Sequence, residues 1–380
     1  MVLFYIKAYS QDTIPKTTFA PSFNLYVGYL PKTYPIAPKS NYSVLASLGI
    51  MWQFNGKDKW HQLYRYPKAG FELFFSDFGN PSELGYNVGF VPTLQINNKN
   101  PKIKWIAKYG FGISYFNKPY NPITNTKNYY IGTNATYMVT LSFLRQKNVN
   151  KNLVFTYGLS AIHCSNGHTQ LPNVGLNLFT AQAGLRFTKQ QTTFTHELVS
   201  QQKNKLSYAV KMGIGMHEFG TTEKAVGGPK YPSYHLSLWV NKPFKNIHIV
   251  QAGFTLAYYS SFYDYITLQH VYTNNQKIKA CTGVAFVGHE FVFGKFSLCT
   301  QLGIYFYNPF FIEQKKIEGT WHATSQKLEA INTNRLGLMY YPFKKHNTLN
   351  NLKNQLHFGA FIKANLAQAD LFEYSVGYVF

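Results

Sequence analysis

Apolar and polar residues alternate through most of this chain, in aromatic-rich segments separated by clusters of Asn, Lys, Pro and Gly. A period of two residues is typical of β-strands, and such clusters are typical of the turns between antiparallel strands. No long window has the 3.6-residue period of a helix. The pattern predicts about sixteen strands, or twelve to fourteen if weak segments are merged or split, at 22–31, 42–54, 69–78, 84–97, 102–117, 128–146, 151–167, 174–189, 204–219, 231–243, 246–261, 278–293, 296–309, 333–344, 354–370 and 371–380.

These segments favour a membrane barrel over a soluble fold. Many exceed the roughly 10 residues that a tilted strand needs to cross a bilayer, and no stretch approaches the roughly 18 apolar residues of a membrane-spanning helix. We therefore expect an all-β protein, an antiparallel transmembrane β-barrel of roughly 12–16 strands. No shift in composition marks a boundary, so residues 22–380 are expected to form a single barrel.

The two ends of the chain bear on its location. The last segment alternates aromatic and small residues up to Phe380, a pattern that resembles the assembly signal of bacterial outer-membrane barrels. The alternative is the last strand of a soluble sandwich. Residues 1–21 include Ala8-Tyr9-Ser10, which resembles the end of a secretory signal without a full apolar segment before it. We expect 1–21 to be a remnant signal and the location to be the bacterial outer membrane.

The predicted connections alternate in length. Those at 98–101, 147–150, 244–245 and 294–295 are short, whereas those at 118–127, 220–230, 262–277 and 310–332 are long. Outer-membrane barrels have short periplasmic turns and longer external loops. The connections at 55–68, 190–203 and 345–353 are long although they fall at the end expected to carry short periplasmic turns, and the pattern gives no reason for their length.

Composition and charge narrow the classes of partner. Lys and Arg total 37 against 15 Asp and Glu, for a formal charge of +22, while aromatic residues reach 18%. So many aromatic residues argue against disorder. The basic residues are dispersed through loops and strand ends, which favours anionic lipid headgroups over nucleic acid as the partner. Cys281 and Cys299 lie on neighbouring predicted strands but far apart in register, so no disulfide is expected.

One hairpin, 159–187, carries candidate chemistry. By parity His163, Ser165 and Asn177 share the apolar, lipid-facing side of its two strands, whereas Cys164 points inward. Polar side chains facing hydrocarbon are costly and indicate function. A His two residues from a Ser on one strand face is placed to remove its proton, while a third polar group orients the ring. The alternative is a set of interfacial residues at headgroup level.

The hairpin contains His163-x-Ser165-Asn166 followed by Pro172-Asn173-x-Gly175-x-Asn177. This spacing resembles the signature of the lipid A 3-O-deacylase family, outer-membrane barrels often labelled acyloxyacyl-hydrolase-like. The resemblance implies that Ser165 is the nucleophile and His163 the general base. It also implies that Asn173, and less directly Asn166, lies near the oxyanion. Family members are small eight-stranded barrels, and this chain is much longer.

Position 177 departs from that signature, because the family's typical third member is acidic. Asn177 can orient a His but cannot stabilise imidazolium as a carboxylate does. Glu218 and Glu290 are the candidates to replace the missing acid, and a degenerate site is the other outcome.

Two function classes follow. The first is an outer-membrane esterase that removes an acyl chain from lipid A or a related glycolipid through an acyl-enzyme on Ser165, with no metal or organic cofactor expected. The second is a non-catalytic channel or structural barrel with a vestigial hairpin, and a wide lumen lined by Lys and Arg would favour the channel. A soluble all-β binding protein is a third.

The pairs His217-Glu218 and His289-Glu290 lack the second His of a zinc motif. His168 is expected to be a solvated loop residue.

Overall fold

The computed structural model describes residues 19–32, 37–98, 105–188, 205–221, 224, 227–317, 324–345, 350–366 and 368–380. These residues form sixteen strands: β1 Phe19–Tyr29, β2 Tyr42–Gln53, β3 Lys68–Asp77, β4 Tyr86–Asn97, β5 Trp105–Phe116, β6 Ala135–Asn148, β7 Leu153–Ser165, β8 Leu176–Phe187, β9 Ser207–Glu218, β10 Lys230–Phe244, β11 His248–Tyr259, β12 Cys281–Phe293, β13 Phe296–Tyr307, β14 Asn332–Tyr340, β15 Gln355–Asn365 and β16 Gln368–Val379. Five short helices lie in the connections: α1 Lys59–Leu63, α2 Ser260–Leu268, α3 Gln276–Lys279, α4 Pro309–Ile317 and α5 Thr324–Ile331.

The strands close into two barrels, which corrects the single barrel expected over 22–380. Strands β1–β8 form one closed antiparallel barrel and β9–β16 form another. The first closes where β1 pairs with β8, with Leu25 opposite Ala183, and the second where β9 pairs with β16, with Met212 opposite Val376. Alternation of side chains fixes the two faces of a strand but not its neighbours, so it does not reveal that β8 pairs back to β1. Of the expected signal segment 1–21, residues 1–18 lie outside the described residues and 19–21 begin β1.

Buried polar side chains and hydrophobic clusters share both barrel interiors. In the first barrel Lys108 Nζ lies 2.8 Å from Glu72 Oε1, and both side chains are buried. In the second, Lys211 and Arg335 flank Glu373 at 2.6 and 3.1 Å. An eight-stranded barrel is just wide enough for its side chains to fill it. Neither interior is therefore the wide, Lys- and Arg-lined lumen that the channel hypothesis requires.

The outer walls are apolar at alternate positions. On β1 the residues Phe23, Leu25 and Val27 are 41%, 46% and 50% exposed, with polar or small residues between them facing inward. On β9, Met212 and Ile214 are likewise exposed. This apolar-out, polar-in alternation is the pattern of transmembrane barrels. Together with the sixteen antiparallel strands, it confirms the predicted fold class.

The two barrels contact each other near both of their ends. We call the end that carries the β7–β8 connection the upper end and the opposite one the lower end. At the lower end the ring of Tyr64, just beyond α1, lies 4.5 Å from the ring of Phe293 in the second barrel. The long connection at 55–68 thus packs against the other barrel. Asn350, near the end of the connection at 345–353, donates to Phe244 O and His248 O on either side of the β10–β11 turn. The predicted loop at 190–203 lies outside the described residues.

Helices and cysteines contribute little to this framework. Across the described ranges, each helix is too short and too polar to span a membrane. Cys164 points into the core of the first barrel, as parity predicts, and Cys281 and Cys299 are free thiols on β12 and β13.

Candidate active site

The β7–β8 hairpin pairs the candidate base with its orienting residue. His163 on β7 lies directly opposite Asn177 on β8, both on the outer wall near the upper end. His163 Nδ1 and Asn177 Oδ1 are 2.8 Å apart. Because an amide oxygen only accepts, this contact places the proton on Nδ1 and leaves Nε2 as the basic nitrogen. The parity argument from sequence therefore placed these two side chains together.

Ser165 ends β7 and lies under the β7–β8 connection. Its hydroxyl oxygen accepts hydrogen bonds from Gly167 N at 3.1 Å and from Asn173 Nδ2 at 2.9 Å. The residue is only 1% exposed, so it is a covered residue rather than the open, lipid-facing one that parity predicts. The chain turns away from the strand just after it, and this turn covers the hydroxyl. Among the hydrogen bonds of the described residues, Ser165 Oγ has none to His163.

We call residues 166–175 the catalytic loop. Asn173 is central to it, since its Oδ1 accepts from Asn166 N at 3.1 Å while its Nδ2 donates to Ser165. Asn166 Nδ2 donates to Gln170 O at 2.7 Å, so this side chain braces the loop instead of facing the serine hydroxyl. Gly175 N donates to Tyr130 O at 3.0 Å, which fastens the far end of the loop to its own barrel.

Sequence reasoning missed three residues of the site. Tyr137 on β6 is opposite Ser165 in register, and its ring lies 5.8 Å from that of His163. Gly167 supplies a backbone donor. Gly175 has φ +77°, and a Cβ there would lie 3.0 Å from His163 Cε1. Gly175 stands in the motif and Gly167 directly follows Asn166, but the sequence assigned neither a role, and Tyr137 becomes visible only once the β6–β7 register is known.

Glu218 and Glu290, the two candidates to replace an acid at position 177, both bind groups other than His163. Glu290 lies inside the second barrel, where Tyr341 and Gln251 donate to it at 2.8 and 2.9 Å. Glu218 ends β9 and accepts from Leu171 N in the catalytic loop at 2.6 Å. Its carboxylate thus binds the loop backbone instead of the imidazole of His163.

His168 is buried, not solvated as predicted. It is 7% exposed at the contact between the barrels, and its ring lies 6.3 Å from that of His217. Burial lowers the pKa of His168, while the nearby carboxylates of Asp370 and Glu218 and backbone contacts act in the opposite direction. At neutral pH the loop therefore carries this imidazole uncharged.

The arrangement offers a nucleophile, a base of defined tautomer and two N–H donors within one loop and hairpin. These are the parts that acyl transfer through a covalent intermediate requires. Over the part of the chain that the structure describes, no cluster of three or more His, Cys, Asp or Glu side chains is arranged to hold a metal ion. The site is thus a candidate Ser/His centre near one end of an eight-stranded barrel.

Comparison with known families agrees with this class. Residues 46–186, which contain the hairpin except for its last residue, match the family model of lipid A 3-O-deacylase, and residues 206–341 match that of the acyloxyacyl hydrolase C-terminal domain. Together the two matches cover well over half of the chain. The first part of the chain thus matches the lipid A 3-O-deacylase family and the second an acyloxyacyl hydrolase domain, which confirms the resemblance seen in the hairpin.

Solved structures resemble the chain more distantly. The crystal structure of the outer membrane enzyme PagL is 15% identical, with a TM-score of 0.32, and covers 43% of this chain and 97% of its own. OccAB1 of Acinetobacter baumannii is 10% identical over 98% of this chain and 97% of its own, with a TM-score of 0.24. The COG4313 outer membrane channel of Pseudomonas putida F1 is 10% identical over 98% and 99%, with a TM-score of 0.22. No curated protein matches.

Proposed function

We propose that this protein is an outer-membrane esterase that removes an ester-linked acyl chain from lipid A, with Ser165 as nucleophile and His163 as general base. The observation that carries the proposal is the outer-wall hairpin itself. His163 is held by Asn177 at 2.8 Å, and Ser165 lies two residues away between two donors, within the stretch that matches the lipid A 3-O-deacylase model. The apolar outer walls and the family support a location in the bacterial outer membrane, where lipid A forms the outer leaflet.

The first half of the reaction forms an acyl-enzyme. The Ser165 hydroxyl turns from its present donors towards His163 Nε2, which takes its proton as Oγ bonds to the ester carbon. The ester C–O bond then breaks, and the sugar hydroxyl leaves with the proton held by the imidazole. Hydrogen bonds of this kind often tighten only when substrate binds, so their absence without substrate is compatible with the role.

The second half restores the enzyme. Water gives a proton to His163 and attacks the acyl carbon, the Ser165 Oγ–carbon bond breaks, and the serine recovers the proton, so that one fatty acid is released per lipid. Asn173 Nδ2 and Gly167 N, which now bind Ser165 Oγ, are the donors available to the developing oxyanion in both halves. One such donor typically accounts for about 10²–10³ in kcat.

The charge of the upper end suits an anionic lipid headgroup. Lys32, Lys39, Lys118 and Lys127 are exposed on the connections at the upper end of the first barrel. Lipid A carries phosphate groups, and basic residues near a membrane surface attract anionic headgroups. These lysines lie at the end where the hairpin places Ser165, so they support lipid A over a neutral lipid as substrate.

The test follows fatty-acid release from lipid A by mass spectrometry, with the full-length protein folded in detergent. We expect the loss of one acyl chain, and the mass of the product identifies the bond, with the 3-O ester expected from the family. Ser165→Ala should abolish release. Ser160→Ala is the matched control, because Ser160 lies on the same strand but faces the interior, bonded to Ser142 and Gln182. Equal activity of wild type and Ser165→Ala would refute the proposal.

A further inference from the structure

The second barrel touches the catalytic loop of the first through one buried carboxylate. Glu218, at the upper end of β9, is 1% exposed. Its Oε2 accepts from Leu171 N at 2.6 Å, and its Oε1 accepts from Gly228 N at 2.6 Å on its own barrel. Its backbone N also donates to His168 O at 3.0 Å. One residue thus makes two hydrogen bonds to the loop and one to the barrel that carries it.

The first barrel also holds the loop, but at a different place from Glu218. Val174 N and Gly175 N donate to Tyr129 O and Tyr130 O at 3.1 and 3.0 Å, so the first barrel fastens the loop where β8 begins. Positions 168 and 171, in the middle of the loop, are bound by the second barrel. The loop is therefore held at two places by two different barrels.

A short series of hydrogen bonds leads from the Glu218 contact to the nucleophile. Glu218 fixes Leu171 N, and the preceding carbonyl, Gln170 O, accepts from Asn166 Nδ2 at 2.7 Å. Asn166 N in turn donates to Asn173 Oδ1 at 3.1 Å, and Asn173 Nδ2 donates to Ser165 Oγ at 2.9 Å. A shift of the loop at Leu171 is therefore passed to the donor that lies on the nucleophile.

Side-chain packing adds a second contact. Phe372 on β16 lies against the outer wall of the first barrel, where its ring is 6.2 Å from that of Tyr137. Its Cβ is also 3.3 Å from the position that a Cβ on Gly167 would take. The second barrel thus borders the loop both at its backbone and at the side that faces Ser165.

We propose that Glu218 is a positioning residue, through which the second barrel holds the catalytic loop in the geometry that aligns Asn173 and Gly167 on Ser165. The proposal rests on the function proposed above and extends it, because it assigns the second barrel a part in the activity of the first. Misplacing catalytic groups by about 1 Å costs on the order of 10²-fold in rate. Loss of the Glu218 carboxylate is therefore expected to lower kcat by about 10- to 100-fold with KM little changed.

The experiment compares Glu218→Ala, Glu218→Gln and Glu290→Gln in the full chain. Glu290→Gln is the matched control, because Glu290 is also a buried carboxylate of the second barrel, and its hydrogen bonds to described residues go to Gln251, Ser297 and Tyr341 of that barrel and not to the loop. Glu218→Gln keeps one oxygen acceptor and should fall between wild type and Glu218→Ala in kcat. Resistance of each variant to unfolding in SDS without heating checks that the barrels are closed.

Hydrogen exchange of the loop amides supplies a measurement that does not depend on catalysis. Glu218→Ala should raise exchange at Leu171 and its neighbours, and Glu290→Gln should not. Unchanged exchange at Leu171, faster exchange with unchanged kcat, or an equal loss of kcat in Glu290→Gln would each overturn the proposal. If wild type releases no fatty acid, the proposed function fails, and the exchange result alone then decides whether Glu218 holds the loop.

Discussion

Replacing Asn177 with Asp tests the departure of this chain from its family most directly. Asp has nearly the same shape as Asn, so the 2.8 Å contact with His163 Nδ1 is retained while the acceptor becomes charged. The Asn already selects the tautomer with Nε2 free. What it lacks is the ability to stabilise the imidazolium that forms when Ser165 loses its proton.

The size of the effect follows from the energies of the two kinds of hydrogen bond. A bond between neutral groups contributes about 0.5–1.5 kcal/mol and one to a charged group about 1.5–3 kcal/mol. The difference is about 1–1.5 kcal/mol, and each 1.36 kcal/mol corresponds to about a tenfold change in rate. Because Asn177 is exposed, we expect the lower part of this range, and Asn177→Asp should raise kcat by somewhat less than tenfold.

The assay measures initial rates of fatty-acid release from lipid A in mixed micelles, for wild type, Asn177→Asp and Asn177→Ala. Asn177→Ala should be slower than wild type, because the ring loses its orienting acceptor. Asn148→Asp is the control for added charge, since Asn148 is exposed at the lower end of β6. If both variants at 177 retain the wild-type rate, the residue does not orient the base and the reasoning is refuted.

Three further predictions concern the loop and its neighbours. Gly175→Ala should lower kcat by about tenfold or more, because the added Cβ would press on the imidazole of His163. Gly227→Ala is the control and should leave kcat unchanged, because Gly227 has a similar φ of +64° but open space around it. Tyr137→Phe removes the phenol hydroxyl of the residue opposite Ser165 and should slow fatty-acid release by about 3- to 10-fold, while an unchanged rate would exclude that hydroxyl from the reaction. Burial lowers the pKa of His168, so this imidazole binds a proton more readily when the loop is open than when it is closed. Acid therefore favours the open loop, and the protection of its amides from hydrogen exchange should decrease below about pH 6.5. His168→Asn, which tolerates the positive φ of 70°, should remove this dependence, and its persistence would assign it to another group.

Sequence alternation was sufficient to predict the strands and the faces of the hairpin. The predicted β7 and β8 segments, 151–167 and 174–189, contain the observed strands. The period of two also placed His163 and Asn177 on one wall, because side chains at equal parity share a face regardless of what the strand pairs with. It could not show that the loop covers Ser165, since a loop has no periodic pattern.

The alternation of side chains could not show which strands pair or where the two barrels contact each other. Pairing of β8 with β1 instead of β9 is a long-range choice that leaves each strand's alternation unchanged. The proposed role of Glu218 could not be predicted from sequence either, because it depends on where the two barrels contact each other. In sequence Glu218 stood out as an acid after a His, a fragment of a zinc motif, and as a candidate to replace the acid missing at position 177, and neither pattern indicates a contact with the loop.

The closure of each barrel from eight consecutive strands has a consequence for folding. Every strand pairs within its own half of the chain, so the first half contains all the partners it needs before the second is complete, and domains generally fold as units in chain order. The contact of Glu218 with the catalytic loop forms only after β9 has joined its own barrel. Under the positioning proposal, the first barrel closes with its nucleophile in place but its loop unheld, and activity is the last property that the molecule acquires during biogenesis.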